Sequence, residues 1–571
     1  MSHEPGAAIA RLVHAGFDAF YAEFHRITRE ARRWFDVRDW SRVDDLHHER
    51  IDLYQRYVVR TLASLRPLTR IHAEDVGVWR EAHSRYAQLI RDRVDHEVAQ
   101  TFFNAITRKT FRTVGVNADI EFLDRDLDTA HDDPVPGQIR RVVADDPDEL
   151  FASVLQQVRP ALQWCDAERD ARWLRAEHAR HCAEHGRSPH ITAIEVLKPL
   201  FFRAREGYIV ARIHGAEGTC PLLVPVQPTG AGMVVDGALF TVDAALQVFS
   251  STRAYFFVDV LKPADVVAFL ATLMPSLTES ELYIAIAHHR HGKTLIHREL
   301  VEHLRASDDS FVMAPGIAGL VMTVFTLPSY RNVFKIIRDR FDKPTATREG
   351  ILRCYREVFR GRRVGRLADT QEFEYLAFER RRFDPECLAE LRAKAGNSVH
   401  VEGEQVVVTH LYIEEKMTPL NLYLMQVGLE QAIAAIIDYG AAIKELAGHN
   451  VFAGDLLWKN FGVTRHGRLV LYDYDEICPL LDCNFRAIPA PRSWEDELSD
   501  QPYYAVADAD VFPAEWAPFI VPREPPALRE AFLAHHADLF TPEFWRERQR
   551  QVVAGAVHLG LPYPPRFPGL Q

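Results

Sequence analysis

The stretch GDLLWKNFGVTRHGRLVLYDYDE, residues 454–476, sets Asp455, Asn460, Asp473 and Asp475 around what reads as a strand pair. Four residues separate Asp455 from Asn460, the interval between the acid and the metal-binding amide of a phosphoryl-transfer loop. Asp473 follows eighteen residues after Asp455, beyond FGVT and RLVLYD with RHG as the turn, which would return the chain to the metal. Transfer of a γ-phosphoryl group asks little covalent chemistry of a protein and is governed by positioning and charge neutralisation. It calls for an acid at the acceptor hydroxyl, an amide and an acid on magnesium, a lysine on the phosphates, and a glycine loop that brings N–H groups near them. The loop candidate is Ala314, Pro315, Gly316, Ile317, Ala318, Gly319 and Leu320, lying between two apolar runs. The lysine is Lys335 in VFKII, a buried setting that an ammonium tolerates only with a charge partner. Blander readings exist for each residue: a hairpin turn, a lysine reaching out from a strand edge, an acid capping a turn. They explain the residues singly but not their order, which is that of a protein kinase.

These residues need a scaffold, and the composition can supply one. Of 571 residues, 47% are hydrophobic and 26% charged, enough apolar material for more than one core in a globular protein. A formal net charge of −12 speaks against a sequence-independent grip on nucleic acid, which needs clustered Lys and Arg. The cysteines Cys165, Cys182, Cys220, Cys354, Cys387, Cys478 and Cys483 show no CxxC spacing and read as reduced thiols in a cytoplasmic protein. The N-terminal run lacks the basic-then-apolar order of a secretory signal, and no apolar stretch is long enough to span a membrane.

Apolar residues recur at helical spacing from about residue 5 to 110 and from Pro147 to about Glu184, with an acidic, proline-containing loop expected between Asp126 and Gln138. After Pro189, YIVARIHG, PLLVPVQPTG, AYFFVDVL and LYIAIAHH read as strands. Near Phe311 the pattern becomes strand, glycine turn, strand, followed by a strand at NVFKIIRD, helices over Thr347 to Ala395, and a strand at QVVVTHLYIEE. The expected fold is α+β. A mainly helical domain covers 1–310, with strands from about 190, and a bilobal protein-kinase-like domain covers 311–571.

The chain also resembles bacterial isocitrate dehydrogenase kinase/phosphatase. The resemblance runs from GFDAFYAEF near the start to HADLF near the end. It is densest in APGIAGLVMTVFTLP, VFKIIRDRF, VGRLADTQEFE, HLYIEEKMTPLNLYL and GDLLWKNFGVTRHGRLVLYDYDEIC. It implies a bifunctional enzyme with an N-terminal regulatory domain. Such an enzyme phosphorylates and inactivates isocitrate dehydrogenase on a serine with ATP, and removes the phosphate at the same nucleotide site, controlling entry to the glyoxylate bypass. The resemblance brings ATP and ADP, magnesium with manganese as a substitute, AMP as allosteric effector, and isocitrate dehydrogenase as protein partner; a homodimer is compatible with it.

Carried over by motif, Ala314 to Leu320 form the nucleotide loop, Lys335 the phosphate lysine, Asp455 the catalytic acid or base, and Asn460 and Asp473 the magnesium ligands. Asp369, in ADTQEF, matches an acid tied to the phosphatase reaction. YIEEKM, with Glu415 and Met417, resembles the hinge that holds adenine. Asp475 would share a strand face with Asp473 and place water or metal. Glu372 or Glu374, in a helix-like run, is expected to pair with Lys335. Relative to common kinases, Ala-Gly-Asp replaces His-Arg-Asp and Asp-Tyr-Asp replaces Asp-Phe-Gly. Leu457 stands where a lysine is usual, with Lys459 nearby to meet the γ-phosphate, and Ala318 stands where the family carries a basic residue.

Other motifs compete for attention. AHHRHGKT, residues 287–294, imitates the end of a phosphate-binding P-loop after an apparent strand, but Ala287 replaces its first glycine. Lys293 and Thr294 are instead candidates for an AMP phosphate between the domains. His178, His181, Cys182 and His185 share a helical face at a spacing that could bind zinc, although no second ligand cluster accompanies them. The aromatic and acidic run 492–516 occupies the place of an activation segment and suits a protein partner. Two other classes remain to be distinguished. A small-molecule kinase would phosphorylate only metabolites, and a pseudokinase scaffold would bind ATP without transferring phosphate.

Overall fold

Four long helices open the chain because its apolar residues hold a 3.6-residue period: α1 (Pro5–Asp36), α2 (Trp40–His72), α3 (Val76–Ile90) and α4 (His96–Phe111). On α1 the buried residues Ile9, Val13, Phe17, Phe20, Phe24, Ile27, Ala31 and Phe35 step by three or four. Asp75 caps α3 by accepting from the N–H groups of Gly77 and Val78. The computed structural model describes residues 5–72, 75–123, 135–157, 162–203, 205–249, 255–316, 319–343, 346–361, 365–491, 494, 503–555 and 563–567. Most of the loop expected at 126–138 falls outside them.

Beyond β1 (Ile139–Val142), α5 (Pro147–Gln157) and α6 (Ala167–Glu184) come β2 (Ile191–Leu197), β3 (Phe201–Arg203), β4 (Glu206–Gly215), β5 (Gly218–Thr229) and β6 (Gly232–Val235). They form an antiparallel sheet in the order β1-β2-β4-β5-β6, with β3 on β4. YIVARIHG and PLLVPVQPTG are strands as expected. The helices α7 (Val242–Phe249), α8 (Pro263–Leu273), α9 (Glu279–Ala285) and α10 (His289–Ala306) follow. Here two expected strands are corrected. LYIAIAHH runs from the end of α9, which a capping box between Thr278 and Glu281 starts, into the start of α10, and the described residues of AYFFVDVL make only an isolated bridge from Phe257 to Phe202. Leu282 to His288 and Tyr255 to Val258 are buried throughout, and a short apolar run without a polar face has no period to separate strand from helix.

The last part begins with β7 (Val312–Met313), β8 (Met322–Thr326), β9 (Asn332–Ile337), α11 (Arg348–Gly361), β10 (Thr370–Glu379), α12 (Pro385–Ala395), β11 (Val399–Glu402) and β12 (Gln405–Glu415). Their antiparallel sheet has the order β10-β12-β9-β8-β7, with β11 on β12. The helical run expected over Thr347 to Ala395 is therefore broken by β10, and Glu372 and Glu374 stand on a strand. Glu372, Phe373 and Glu374 alternate exposed, buried, exposed, which is the strand period. Tyr375 blurs it: at φ 53° it drops out of the ladder with β12 and turns its carbonyl to the Gly115 N–H, 2.8 Å away.

Next come β13 (Thr418–Pro419), α13 (Leu420–Gln426), α14 (Leu429–Gly448), β14 (Val451–Phe452), β15 (Phe461–Val463), β16 (Leu469–Leu471) and β17 (Cys478–Pro479), and the helices Pro526–His536 and Pro542–Val553 lie nearer the C-terminal end. β13, β15 and β16 form one small sheet, and β14 pairs with β17. The two faces of the β7–β12 sheet enter different cores. Phe325, Phe334, Ile336 and Phe378 continue the core of the N-terminal helices, so residues on either side of 310/311 share it. Met322, Ile337 and Tyr412 pack with α11 and α14 in a second core. Alternation along β9 thus turns Phe334 and Ile336 one way and Lys335 the other. No helix among the described residues is long and apolar enough to cross a membrane.

Gly440 on α14 lies so close to His536 that a Cβ there would enter the imidazole ring, while that ring's Nε2 is hydrogen-bonded to the Ile437 carbonyl at 2.9 Å. Gly440→Ala should therefore lower stability by about 1–3 kcal/mol despite alanine's better helix propensity. A thermal melt unchanged or raised by the substitution would contradict this packing.

Candidate active site

A cleft of about 560 Å³ opens between the β7–β12 sheet and the α13–β17 region. The β7–β8 hairpin roofs it. Ala314, Pro315, Gly316, Gly319 and Leu320 all line it, while Ile317 and Ala318 lie outside the described residues. Gly316 has φ 123°, a left-handed conformation that side chains resist, and the Cβ it lacks would have 3.8 Å to its nearest neighbour, Leu422. The glycine is there for backbone shape rather than for room.

Lys335 crosses the cleft from β9. Its ammonium is ion-paired with Glu414 and donates to the Tyr472 carbonyl at 3.0 Å. Glu414 comes from β12, where it faces Val333, so the pair runs diagonally between adjacent strands. Thr370 Oγ1 donates to Glu414 at 2.8 Å. Burial raises the Glu414 pKa while Lys335 pulls it back down, which is why the pair must be kept intact. The expected partners Glu372 and Glu374 are thus corrected: β12 lies between their strand and β9, and Glu372 holds His410 of β12 at 2.7 Å. The missed residue was already inside YIEEKM, and the alternation of β12 would have separated Glu414 from Glu415.

On the far side, β14 runs into Gly454 and Asp455. Gly454, at φ 73°, approaches Glu476 so closely that a Cβ would sit 2.5 Å from its carbonyl oxygen. Asp455 Oδ1 accepts from the Leu457 N–H at 3.0 Å, and Asn460 Nδ2 donates to the Asp455 carbonyl at 3.3 Å. The loop is therefore folded on itself, with Lys459 and Asn460 in the single turn Trp458–Asn460. Tyr472 clamps it by donating its hydroxyl to the Lys459 carbonyl and its N–H to the Asn460 carbonyl, the latter at 3.1 Å. Asp455, Lys459, Asn460, Asp473 and Asp475 all line the cleft.

Asp473 and Asp475 lie beyond the end of β16 and not on a strand, so the shared strand face expected for them is replaced by a loop that brings both to the cleft. Tyr474 between them packs edge-on against Tyr355 of α11 and donates to the Ala368 carbonyl at 2.6 Å. That buried partner for a hydroxyl accounts for tyrosine where phenylalanine is usual. Burial and the neighbouring Asp473 push Asp475 up to about 8, and its Oδ1 has no hydrogen-bond partner among the described residues. Asn460, Asp473 and Asp475 offer oxygen donors in a negative field that Lys335 and Lys343 offset only in part, a set that fits a hard divalent cation.

Glu415 and Met417 line the cleft where β12 leaves the sheet. Arg465 stands 3.5 Å from Glu415 and is itself held by both oxygens of Glu281 at 2.6 Å, so α9 of the N-terminal part reaches the cleft edge. No strong sequence signal pointed to Arg465 or Glu281.

Family models described as the regulatory domain and the kinase domain of isocitrate dehydrogenase kinase/phosphatase (AceK) match residues 10–308 and 309–565. The chain belongs to the isocitrate dehydrogenase kinase/phosphatase family. A protein of that name from Anaeromyxobacter sp. (strain Fw109-5) is 42% identical, with 98% of this chain and 97% of the relative covered. Those from Anaeromyxobacter dehalogenans and Pectobacterium atrosepticum are 40% and 36% identical, covering 97% and 98% of this chain and 96% and 94% of theirs.

Within this family member, several expected site residues lie away from the cleft. Asp369 does not line it. Its carboxylate accepts from Tyr255 at 3.0 Å and from Gln371 at 2.8 Å, where the N-terminal part meets β10. Lys293 and Thr294 are on α10, after a helix and turn rather than a strand. The Lys293 ammonium sits 4.7 Å over the Phe373 ring, pushed down to about 7 by burial and Arg290, and Thr294 donates to the Arg290 carbonyl at 3.3 Å. His178, His181 and Cys182 lie on α6, but His181 stacks on Phe240, and no metal-holding cluster of three or more His, Cys, Asp or Glu occurs among the described residues. Part of 492–516 is outside them; its end is packed, with Trp516 against Phe452 and Trp545.

Glu414→Ala should strand a buried ammonium and cost about 3–5 kcal/mol of stability. It should also cost about a hundredfold in phosphoryl transfer. Glu372→Ala should cost little in either, and equal losses in the two variants would contradict the pairing. Asp475 has a raised folded pKa, so its penalty is absent below about pH 4, grows as pH rises, and is full above about 8. In metal-free buffer Asp475→Asn should raise the melting temperature more at pH 9 than at pH 6. A gain independent of pH would contradict the assignment.

Proposed function

We propose that this chain is a cytoplasmic bifunctional enzyme that phosphorylates a serine of isocitrate dehydrogenase with ATP and removes the phosphate at the same cleft. The observation that carries the reading is the convergence of Lys335, Asp455, Asn460 and Asp473 on one cavity under a glycine turn. An antiparallel sheet on one side of the cleft and helices on the other support reading this part as a bilobal, protein-kinase-like domain.

In the forward direction Asp455 orients the serine hydroxyl and takes its proton as the oxygen attacks phosphorus. Lys335, positioned by Glu414, holds the phosphates, and Lys459 meets the oxygens of the moving phosphoryl group. Magnesium, held through Asn460 and Asp473, supplies neutralisation of phosphate charge when bound. The edge formed by Glu415 to Met417 holds adenine. In the reverse direction Asp475 orients water beside the phosphoserine. Asp369 acts on that reaction from outside the cleft, through the contact between β10 and the N-terminal part. AMP is received where Lys293 and Thr294 lie, and reaches the cleft through the elements packed there.

Incubation with isocitrate dehydrogenase, magnesium and γ-labelled ATP should label the dehydrogenase, and a chase with ADP and AMP should remove the label. Asp455→Ala should abolish labelling. Label appearing only on metabolites, or nucleotide binding with no transfer to any acceptor, would overturn the reading.

A further inference from the structure

A pair of thiols borders the cleft without entering the proposed reaction. Cys478, on β17, and Cys483, just past the turn Leu480–Asp482, bring their sulfurs to 3.7 Å. Both are half-buried, and none of the seven cysteines is in a disulfide. The turn between them is held from both sides. Gln549 Nε2 donates to the carbonyls of Leu480 at 2.8 Å and Cys483 at 2.7 Å. Asn450 accepts from the N–H groups of Leu480 at 3.2 Å and Leu481 at 3.0 Å. The contact between the sulfurs is thus set by backbone anchored at four points. A disulfide needs about 2.0 Å, so its closure draws the sulfurs together by about 1.7 Å.

That displacement falls on the ladder that joins the two halves of the site. Cys478 pairs with Phe452 and Pro479 with Val451. Phe452 leads within three residues to Asp455, and Cys478 follows Asp475 by three. Gly454 and Glu476, one on each strand's extension, are already in closest packing, so neither loop can absorb a shift alone.

We propose that Cys478 and Cys483 form a redox-sensitive dithiol whose oxidation by a peroxide slows phosphoryl transfer; the effect on rate, though not the site itself, rests on the function proposed above. One thiolate attacks a peroxide oxygen, the O–O bond breaks, and the departing hydroxide takes up a proton to leave as water, giving a sulfenic acid. The second sulfur then attacks the sulfenic sulfur, the S–O bond breaks, and the S–S bond forms with loss of a second water. Two thiols and one hydrogen peroxide become one disulfide and two waters, and a dithiol reductant reverses the change. A transient bond of this kind is compatible with a reducing compartment.

Both cysteines lie in one tryptic peptide, Leu469–Arg486, which has no internal Lys or Arg. The full-length protein, treated with hydrogen peroxide, alkylated and digested without reduction, should yield this peptide two hydrogens lighter and unalkylated. The kinase rate should fall at least about tenfold, since small displacements of catalytic groups have large effects, and dithiothreitol should restore it. Cys483→Ser should keep the basal rate and resist the oxidant. The site is overturned if the peptide stays doubly alkylated at inactivating peroxide concentrations, or if Cys478 links instead to Cys354, whose sulfur lies 3.8 Å from the carbonyls of Asp475 and Ile477. The coupling is overturned if the bond forms with the rate unchanged, or if Cys483→Ser is inactivated as fast as the parent. The peptide mass is read whether or not phosphate is transferred, so bond formation without labelling of isocitrate dehydrogenase refutes the function and not the dithiol.

Discussion

The buried pair of Lys335 and Glu414 is the constraint on which the rest of the site depends. An ammonium in the interior costs more than any single contact returns unless its partner is fixed and the partner's other oxygens are satisfied. Two neighbouring strands meet that condition more rigidly than a mobile helix could. The β9–β12 register sets the diagonal, Thr370 of β10 completes the carboxylate, and three strands are thereby tied to one charge. The opposite face of the same sheet is locked into the aromatic core of the N-terminal helices, so Lys335 is aimed by packing that begins hundreds of residues earlier.

The second constraint is negative charge that Lys335 and Lys343 offset only in part. Asp473 and Asp475 are brought to the cleft by a loop that Tyr474 anchors in the core, and Tyr472 on the preceding residue both clamps the Asp455–Asn460 turn and receives Lys335 on its carbonyl. One short segment therefore links the lysine, the acid loop and the carboxylates. Positive charge entering such a site improves it, as the magnesium nucleotide proposed above would do.

Much of this was legible in the sequence, and the failures have physical causes. The spacing of Asp455, Asn460 and Asp473 is covalent and survives any error in secondary structure, so their meeting in one cleft could be anticipated. Reading β10 as a helix leaves Glu372 and Glu374 as partners for Lys335, whereas in the sheet β12 stands between β10 and β9 and its own Glu414 meets the ammonium. LYIAIAHH reads as a strand from sequence because burial on nearly every side removes the polar residues that reveal a helical period. Asp369 meets Tyr255 of the N-terminal part, a tertiary contact that the motif alone does not reveal. The contact of Arg465 with Glu281 and Glu415 is wholly tertiary and leaves no local trace.

The most direct test is a crystal structure of the chain with magnesium and a non-hydrolysable ATP analogue. The phosphates should lie within hydrogen-bond reach of Lys335 under the Gly316 turn, with the metal between Asn460 and Asp473 and the base against Glu415 to Met417. A nucleotide bound elsewhere, with Lys335 still engaged only by Glu414 and Tyr472, would contradict the account.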